Sequence, residues 1–367
     1  MKGKKHWRKI LIAVILACAL VAALLEGNSL IERLQLTKLG IVLGVSVDRD
    51  EQDYVVCAQL VEASSVNTPQ SGPAYQVIVG KGKTLMGAFD HIKAQSSLYP
   101  AYAHCKVLFV GEELTKNGLD GVMKSLLTGN LLSGDVQVVA TQGEAKKTIT
   151  SKVPILTTSS AYMAEDNVLV SQIGGRKLVT IKDYCAKLDG KSGTKYLPYA
   201  IAVRAEPPTG QTQGQTANVF LYDLDNTVAF DQDGNPHVYG KEVTRAVGLL
   251  EAKGGQVTAY DDKGGYVTVA ISKARRVRAY APAHVIGNYF YSVRVIEQTL
   301  SDSNPDAEYV QRLIADAIDK QMRQTEEECR KDNVDIFSLQ GRLYKRYGQI
   351  WPLEEITWER NISVQCL

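Results

Sequence analysis

The sequence is short of several things, and each shortage removes a class of protein. Six of its 367 residues are cysteine (Cys18, Cys57, Cys105, Cys185, Cys329 and Cys366), and no two form a CxxC pair. A disulfide framework shows dense, even cysteines in a small chain, and a structural zinc site needs closely spaced thiolates. Neither pattern is present, which leaves buried unpaired thiols. Charge of one sign is also lacking. Lys and Arg number 42 against 40 Asp and Glu, a net charge of +2, so no global field recruits nucleic acid or acidic surfaces. There is no fixed-period repeat of about 20 to 50 residues. There is no G-x-S-x-G, no H-E-x-x-H and no spaced carboxylate pair, so the sequence offers no enzyme and no cofactor or metal site.

What is there is an ordinary globular composition, 45% apolar and 22% charged, behind an unusual N-terminus. Residues 1–9 carry five Lys or Arg, and Ile10–Leu25 is a run of 16 apolar residues closed by Glu26. A bilayer core takes roughly 20 apolar residues, and signal-peptide cores run about 7 to 15. The run fits an uncleaved anchor, a cleaved signal peptide or a lipoprotein signal with Cys18 as the acylated residue. All three export the body of the chain, because the basic end stays in the cytoplasm.

Periodicity then predicts alternating strands and helices. Ile41–Asp48 and Tyr54–Val61 read as strands around a charged turn, Asp48–Asp53, and Tyr75–Val79 as a third. Thr84–Gln95 reads as a helix with Leu85, Ala88, Phe89 and Ile92 on one face. Further strands are expected at Lys106–Val110 and Val136–Ala140, and further helices at Gly118–Leu127, Ala145–Thr150 and Ile181–Leu188. Ala205–Gln215, rich in Pro, Gly, Gln and Thr, reads as a linker. Beyond it come strands at Val219–Leu224, Thr227–Asp231, Gln256–Tyr260, Tyr266–Arg278 and Tyr289–Gln298. A long helix follows, with Asn304 as cap and Pro305 in its first turn. Its apolar stripe is Val310, Leu313, Ile314, Ala317, Ile318 and Met322. A shorter helix, Phe337–Tyr347, and a strand, Ile362–Cys366, close the chain.

The expected fold is α+β: an N-terminal membrane anchor followed by mixed αβ domains with largely antiparallel or mixed sheets. The expected segments are an anchor or signal at 1–27, an αβ region at 28–205 with a division near 150, a linker at 206–216, and an αβ domain at 217–367.

The triplet Gly82-Lys83-Thr84 invites a nucleotide reading. A phosphate-binding loop needs G-x-x-x-x-G-K-[ST], so that successive backbone N–H groups wrap the phosphates. The position five before Gly82 is Val77, inside the strand, and four residues are too few for the cradle. The triplet is better read as a strand-to-helix turn, with two glycines for backbone freedom and Thr84 as cap. Asp231–Asn235 resembles a calcium loop but lacks its closing Glu, and reads as a hairpin turn. Lys273–Arg278 is basic without interleaved aromatics, a solvated strand face rather than a nucleic-acid site. His104 and Cys105 are adjacent, so on a strand they face opposite ways and make a poor catalytic pair. Asp335, Phe337, Trp351 and Trp358 read as an aromatic packing cluster.

In this order the pieces resemble the Ger(x)C family, the C subunits of nutrient germinant receptors of spore-forming Firmicutes. Ile41–Asp48 is similar to the family's opening strand. Gly82, Lys83, Thr84 and Ala88 fit its G-K-T-x-x-x-A. His104, Lys106, Gly111, Glu112 and Glu113 fit its H-x-K-V-x-x-x-G-E-E-L. Ala229–Gly240 with Glu242-Val-Thr fits a further stretch, and Asp335, Phe337 and Gly341 with Trp351 and Trp358 fit the D-I-F-x-x-G…W…W ending. The resemblance spans about residues 30 to 367. It implies a non-enzymatic subunit on the outer face of the spore inner membrane, acting with A and B membrane subunits to trigger germination. Family members usually carry a lipidated Cys ahead of the first strand. Here that region, Gly27–Glu32, has none, and Ile10–Leu25 has to anchor the chain. An anchored solute- or wall-binding protein unrelated to germination is the alternative, and a nucleotide enzyme built on Gly82-Lys83-Thr84 the remote one.

Overall fold

The computed structural model describes residues 38–62, 75–151, 163–164, 166–169, 176–191, 193–204, 220–251, 254–301 and 305–367. The apolar run Ile10–Leu25, Cys18, the loop expected at 64–73, the linker at 206–216 and Asn304 lie outside these residues.

Strands β1 (Leu39–Asp50), β2 (Asp53–Glu62) and β3 (Tyr75–Gly82) form an antiparallel meander. The hairpin between β1 and β2 turns on Glu51 and Gln52 alone, with Glu51 at φ 53°. Asp48, expected at the boundary between strand and turn, lies inside β1, which runs on to Asp50. Helix α1 (Leu85–Gln95) folds back over the sheet and buries Leu85, Ala88, Phe89 and Ile92, the face that helical spacing predicted. The chain then adds β4 (Tyr99–Ala101) and β5 (Val107–Val110) in parallel to β1. All four residues of β5 are buried, as expected of a parallel strand covered on both faces. Helices α2 (Glu112–Lys116) and α3 (Leu119–Thr128) lead to β6 (Gln137–Thr141), parallel to β5.

After α4 (Ala145–Thr150) and α5 (Ile181–Cys185), β7 (Tyr196–Arg204) joins parallel to β6. Then β8 (Phe220–Phe230) pairs antiparallel with β7, and β9 (Pro236–Tyr239) with β8. The sheet order is β3-β2-β1-β5-β6-β7-β8-β9, with β4 alongside β1. The stretch expected as a linker between domains therefore joins two paired strands of one sheet. The two strands expected at 219–231 are a single strand, because the irregularity near Asp225 interrupts the apolar alternation without breaking the ladder. Asp231 closes the β8–β9 hairpin as expected. Its carboxylate accepts from the Asn235 amide at 2.8 Å, and Gly234 takes φ 89°.

Helix α6 (Lys241–Glu251) was not expected. It packs on β8 and on the long helix of the second unit. That unit is a sheet of β10 (Gly255–Tyr260), β11 (Tyr266–Ala281), β12 (His284–Thr299) and β13 (Thr357–Cys366). Its ladders are antiparallel except β12–β13. A parallel return needs a crossover, which α7 (Ala307–Lys331) and α8 (Leu339–Tyr347) supply. Helix α7 starts at Asp306, whose carboxylate accepts from the Glu308 amide, so Pro305 precedes the cap rather than following it. The α7 stripe buries Val310, Ile314, Ile318 and Met322 and continues through Thr325 and Cys329.

One apolar core runs from the α1/α3 face of the first sheet through α6 into the second sheet. A smaller core, with Cys57, Phe109, Val139 and Ile149, lies on the opposite face of the first sheet under α4. The fold is mixed α+β with mixed sheets, as the patterning predicted.

Candidate functional site

The candidate site residues of the resemblance fall in three places. At the first, β3 does not stop at Val79 but runs through Gly80-Lys81-Gly82, in register with Val56, Val55 and Tyr54 of β2. The turn is reduced to Lys83 and Thr84. The Thr84 hydroxyl accepts from the Gly87 amide at 3.0 Å, which is the helix cap that the sequence suggested. The glycines serve another purpose than backbone freedom, since neither has a positive φ. A methyl at Gly80 would lie 2.0 Å from the Ala88 carbonyl oxygen, and one at Gly82 would lie 2.7 Å from the Ala88 nitrogen. Gly80, Gly82 and fully buried Ala88 thus form one close contact that lets α1 lie on β3. Lys83 reaches Asp53 at 2.9 Å and is 77% exposed. With the stretch paired as strand, the run of free amides that a phosphate cradle needs is not formed.

The second place is β5 with the turns on either side of it. His104 ends an exposed turn, Tyr102–His104, and not a strand. Cys105 is buried, its thiol donates to the Val107 carbonyl at 3.4 Å, and burial pushes it up to about 12. The two face apart, and a thiol so raised is a poor nucleophile. Lys106 is exposed and ties its amide to the Leu43 carbonyl at 2.8 Å. Glu112 exchanges hydrogen bonds with Gly143: its amide donates to the Gly143 carbonyl at 2.8 Å and its carboxylate accepts the Gly143 amide at 2.9 Å. The Lys116 ammonium at 2.7 Å, with that amide, holds the Glu112 carboxyl below its usual range. Glu113 accepts from the Asn117 amide group at 2.8 Å.

Asp48 is the residue that the sequence reading missed here. Its carboxylate is 7% exposed and accepts from the Ala145 and Lys146 amides, each at 2.7 Å. It caps α4 from a strand almost a hundred positions away, satisfying orphan donors of the first turn. Burial raises its pKa, and the two amides act against that. Gly111 makes the room, since a methyl there would sit 2.0 Å from the Asp48 carboxylate. One signal was available: Asp48 continues the alternation through Ser46, so it faces the sheet surface that Cys57 also faces.

The third place repeats this device. Asp335 is 6% exposed and accepts from the Leu339 and Gln340 amides at 2.8 and 2.7 Å, capping α8. Burial pushes its carboxyl up to about 7. Gly341 is buried on α8. Phe337 and Trp358 pack with ring centroids 4.8 Å apart, and Tyr289 meets Trp358 edge-on at 6.2 Å. Trp351 stands apart from this pair and packs edge-on against Tyr347 at 5.7 Å, so the expected single cluster is two. Beside Trp358 lies Arg360, 4.6 Å from the ring and 2.9 Å from Asp319.

This third place also forms the seam with the first sheet. The Thr194 amide donates to the Ser338 hydroxyl at 3.2 Å, Gln232 donates to Gln340 at 3.1 Å, and the Tyr239 hydroxyl donates to Asp332 at 2.8 Å. Among the described residues no group of three His, Cys, Asp or Glu side chains could hold a metal ion.

Residues 32–202 match the family described as spore germination protein, N-terminal domain, and residues 239–366 match spore germination B3/GerAC like, C-terminal. The chain belongs to the Ger(x)C family. The family is one of non-enzymatic receptor subunits in spore germination. The fold is similar to that in a crystal structure of the GerBC protein, with a TM-score of 0.51 at 14% identity, over 88% of this chain and 97% of that one. No curated protein matches the sequence. The two matched segments leave 203–238 between them, and β8, which links β7 to β9 in the first sheet, lies in that interval.

Proposed function

We propose that this chain is the C subunit of a spore nutrient-germinant receptor, held on the outer face of the inner membrane and working by contact with A and B membrane subunits. The observation that carries the reading is the match of both Ger(x)C domains, in order, along one chain. The role of the landmark residues supports a part played by contact rather than chemistry. Thr84, Asp48 and Asp335 cap helices, Glu112 and Lys83 are in ion pairs, and Phe337 and Trp358 pack.

For the anchor, the reading relies on the sequence. Among the described residues no helix is long and apolar enough to cross a membrane. Ile10–Leu25, behind five cations, is the segment assigned to the bilayer. This reading takes Ile10–Leu25 as an uncleaved helix, with acylation of Cys18 as the alternative.

A chromosomal deletion and a tagged copy test the proposal together. Spores without the chain lose their response to at least one nutrient germinant, and the tagged chain co-purifies with A and B subunits from detergent-extracted inner membrane. Spores that germinate normally with every nutrient, and a chain that purifies alone, overturn it. The intact mass of the extracted chain tells an uncleaved segment from a lipidated Cys18.

A further inference from the structure

The run Lys273–Arg278 divides its cations between the two faces of the second sheet. Arg276 and Arg278 point inward: Arg276 donates to the Leu249 carbonyl at 3.2 Å, and Arg278 stands 5.9 Å from the Tyr289 ring centroid. Lys273 and Arg275 point the other way, and Arg294 of β12, opposite Ala270, joins them across the ladder. All three are exposed. Among the described residues their side chains make no ion pair, hydrogen bond or ring contact.

The face they occupy is open. Val257, Val269, Tyr289 and Trp358 alternate toward α7 and are buried. Thr258, Phe290, Asn361 and Ser363 alternate away from it and are exposed. Phe290, 45% exposed, lies directly opposite Arg275, and Val277, 43% exposed, is the next outward residue along β11. The acids of the face stand toward its two ends. Glu297 accepts from the Tyr266 hydroxyl at 2.5 Å, and Glu359 lies 3.7 Å from His284.

A solvated face explains exposed charge but not this arrangement. Surface sheets pair opposite charges across strands, and like charges on neighbouring positions repel. Lysine also guards sheet edges against pairing with other chains, but β11 and β12 are the two inner strands of the order β10-β11-β12-β13. Nor does solvation account for a phenylalanine and a valine side by side among the cations. Cations around exposed apolar side chains, on a flat surface, suit an interface with lipid headgroups. There the apolar groups enter the acyl boundary and the charges meet phosphates.

We infer that this open face of the second sheet docks on an anionic bilayer surface, with Lys273, Arg275 and Arg294 on lipid phosphates and Phe290 and Val277 at the acyl boundary. The choice of lipid as occupant rests on the reading of Ile10–Leu25 as the membrane anchor. Only residues 26–38 separate that run from β1, a reach of at most about 45 Å, so the folded body stays within range of the surface. Near an anionic surface each cation favours the docked state about fivefold, and three favour it about a hundredfold. The apolar run has 16 residues, fewer than the roughly 20 that span a bilayer, and gains from a second hold.

The test inserts the full chain into nanodiscs of phosphatidylcholine alone, and of phosphatidylcholine and phosphatidylglycerol in equal parts. Oxidation by hydroxyl radicals is then read residue by residue by mass spectrometry. Phe290 is expected to be protected severalfold in the anionic discs, with Met86 on α1, 47% exposed, as the reference outside the face. The protection is lost in K273Q/R275Q/R294Q, and is lost in the wild type at high salt, which screens it. It persists in K124Q/K320Q/K331Q, the same loss of charge at exposed positions on α3 and α7. Equal oxidation in the two discs, equal loss in both triples, or protection that appears only when A and B subunits are added overturns the inference; the last result gives the face to a protein partner. Entry of the chain into neutral discs reports the anchor separately. A chain that stays out of them refutes the anchor reading; its flotation with anionic vesicles then supports the docking face, and failure to float overturns it.

Discussion

Replacing Gly80 by alanine puts a methyl 2.0 Å from the Ala88 carbonyl oxygen and 2.7 Å from the Ile92 side chain, where ordinary contact begins at 3.4 Å. The nearest atom is helix backbone, which cannot rotate away. Helix α1 has to lift by roughly 1.4 Å, or β3 has to sag by as much. A gap of about 1 Å forfeits a quarter to a half of each dispersion contact, and Leu85, Ala88, Phe89 and Ile92 all lie in that interface. Overpacking a well-filled site costs about 1 to 3 kcal/mol, and a backbone clash belongs at the upper end. We expect Gly80→Ala to destabilise the protein by about 3 kcal/mol, a large share of the ~5 to 15 kcal/mol that holds a domain folded. The assay is urea unfolding followed by far-ultraviolet circular dichroism. Thr84→Ala, which removes a cap, should cost about 1 kcal/mol. Lys83→Ala should leave the midpoint where it was, because that side chain is exposed and its partner lies at the surface. If Gly80→Ala unfolds like the wild type and Lys83→Ala is the damaging change, the close-contact account is wrong and a ligand role for Lys83 returns.

Asp335 titrates with a sign that unfolding can read. Its carboxyl is raised from 3.8 to about 7, so the native state holds the proton more tightly than the unfolded chain. Its contribution to stability is therefore full below about pH 4 and is lost as pH rises toward 7, by up to about 4 kcal/mol. Asp335→Asn should be less stable overall but should lose less between pH 4.5 and 7.5; parallel losses would refute this. Asp48→Ala leaves the Ala145 and Lys146 amides without their acceptor and should cost about 2 kcal/mol or more, with α4 amides exchanging hydrogen faster while those of β11 and β12 do not. Trp358→Ala should cost about 3 to 5 kcal/mol, and Trp351→Ala clearly less, because Trp358 is buried between Phe337 and Tyr289 and Trp351 is half-buried against Tyr347.

Local chemistry was legible in the sequence where it acts over a few residues. The α1 face, the Thr84 cap, the Asp231 hairpin turn and the α7 stripe follow from spacing and side-chain type, because the pattern that marks each lies within a few turns or residues of chain. What was not legible depends on partners far away. Nothing within ten residues of Asp48 shows that it caps α4, and its charged neighbours Arg49, Asp50 and Glu51 made it look like part of a turn. Gly80 and Gly82 look like turn glycines until Ala88 is seen across the contact. The stretch before β8 looks like an interdomain linker by composition, and only the ladder with β7 shows that both of its ends belong to one sheet.

The residues that carry the resemblance are thus mostly residues of the scaffold. A motif built of caps, close contacts and packed rings marks a fold, because each member answers to a constraint of geometry rather than to a substrate. Gly111 is required by Asp48, Asp48 by α4, and Gly80 by α1. The seam is held by contacts of the same kind. Its hydrogen bonds tie Asp335-capped α8 to the first sheet. Asp335→Ala should therefore lower the unfolding midpoint and let the Leu339 and Gln340 amides exchange hydrogen faster, whereas unchanged exchange at those two amides would refute the capping role.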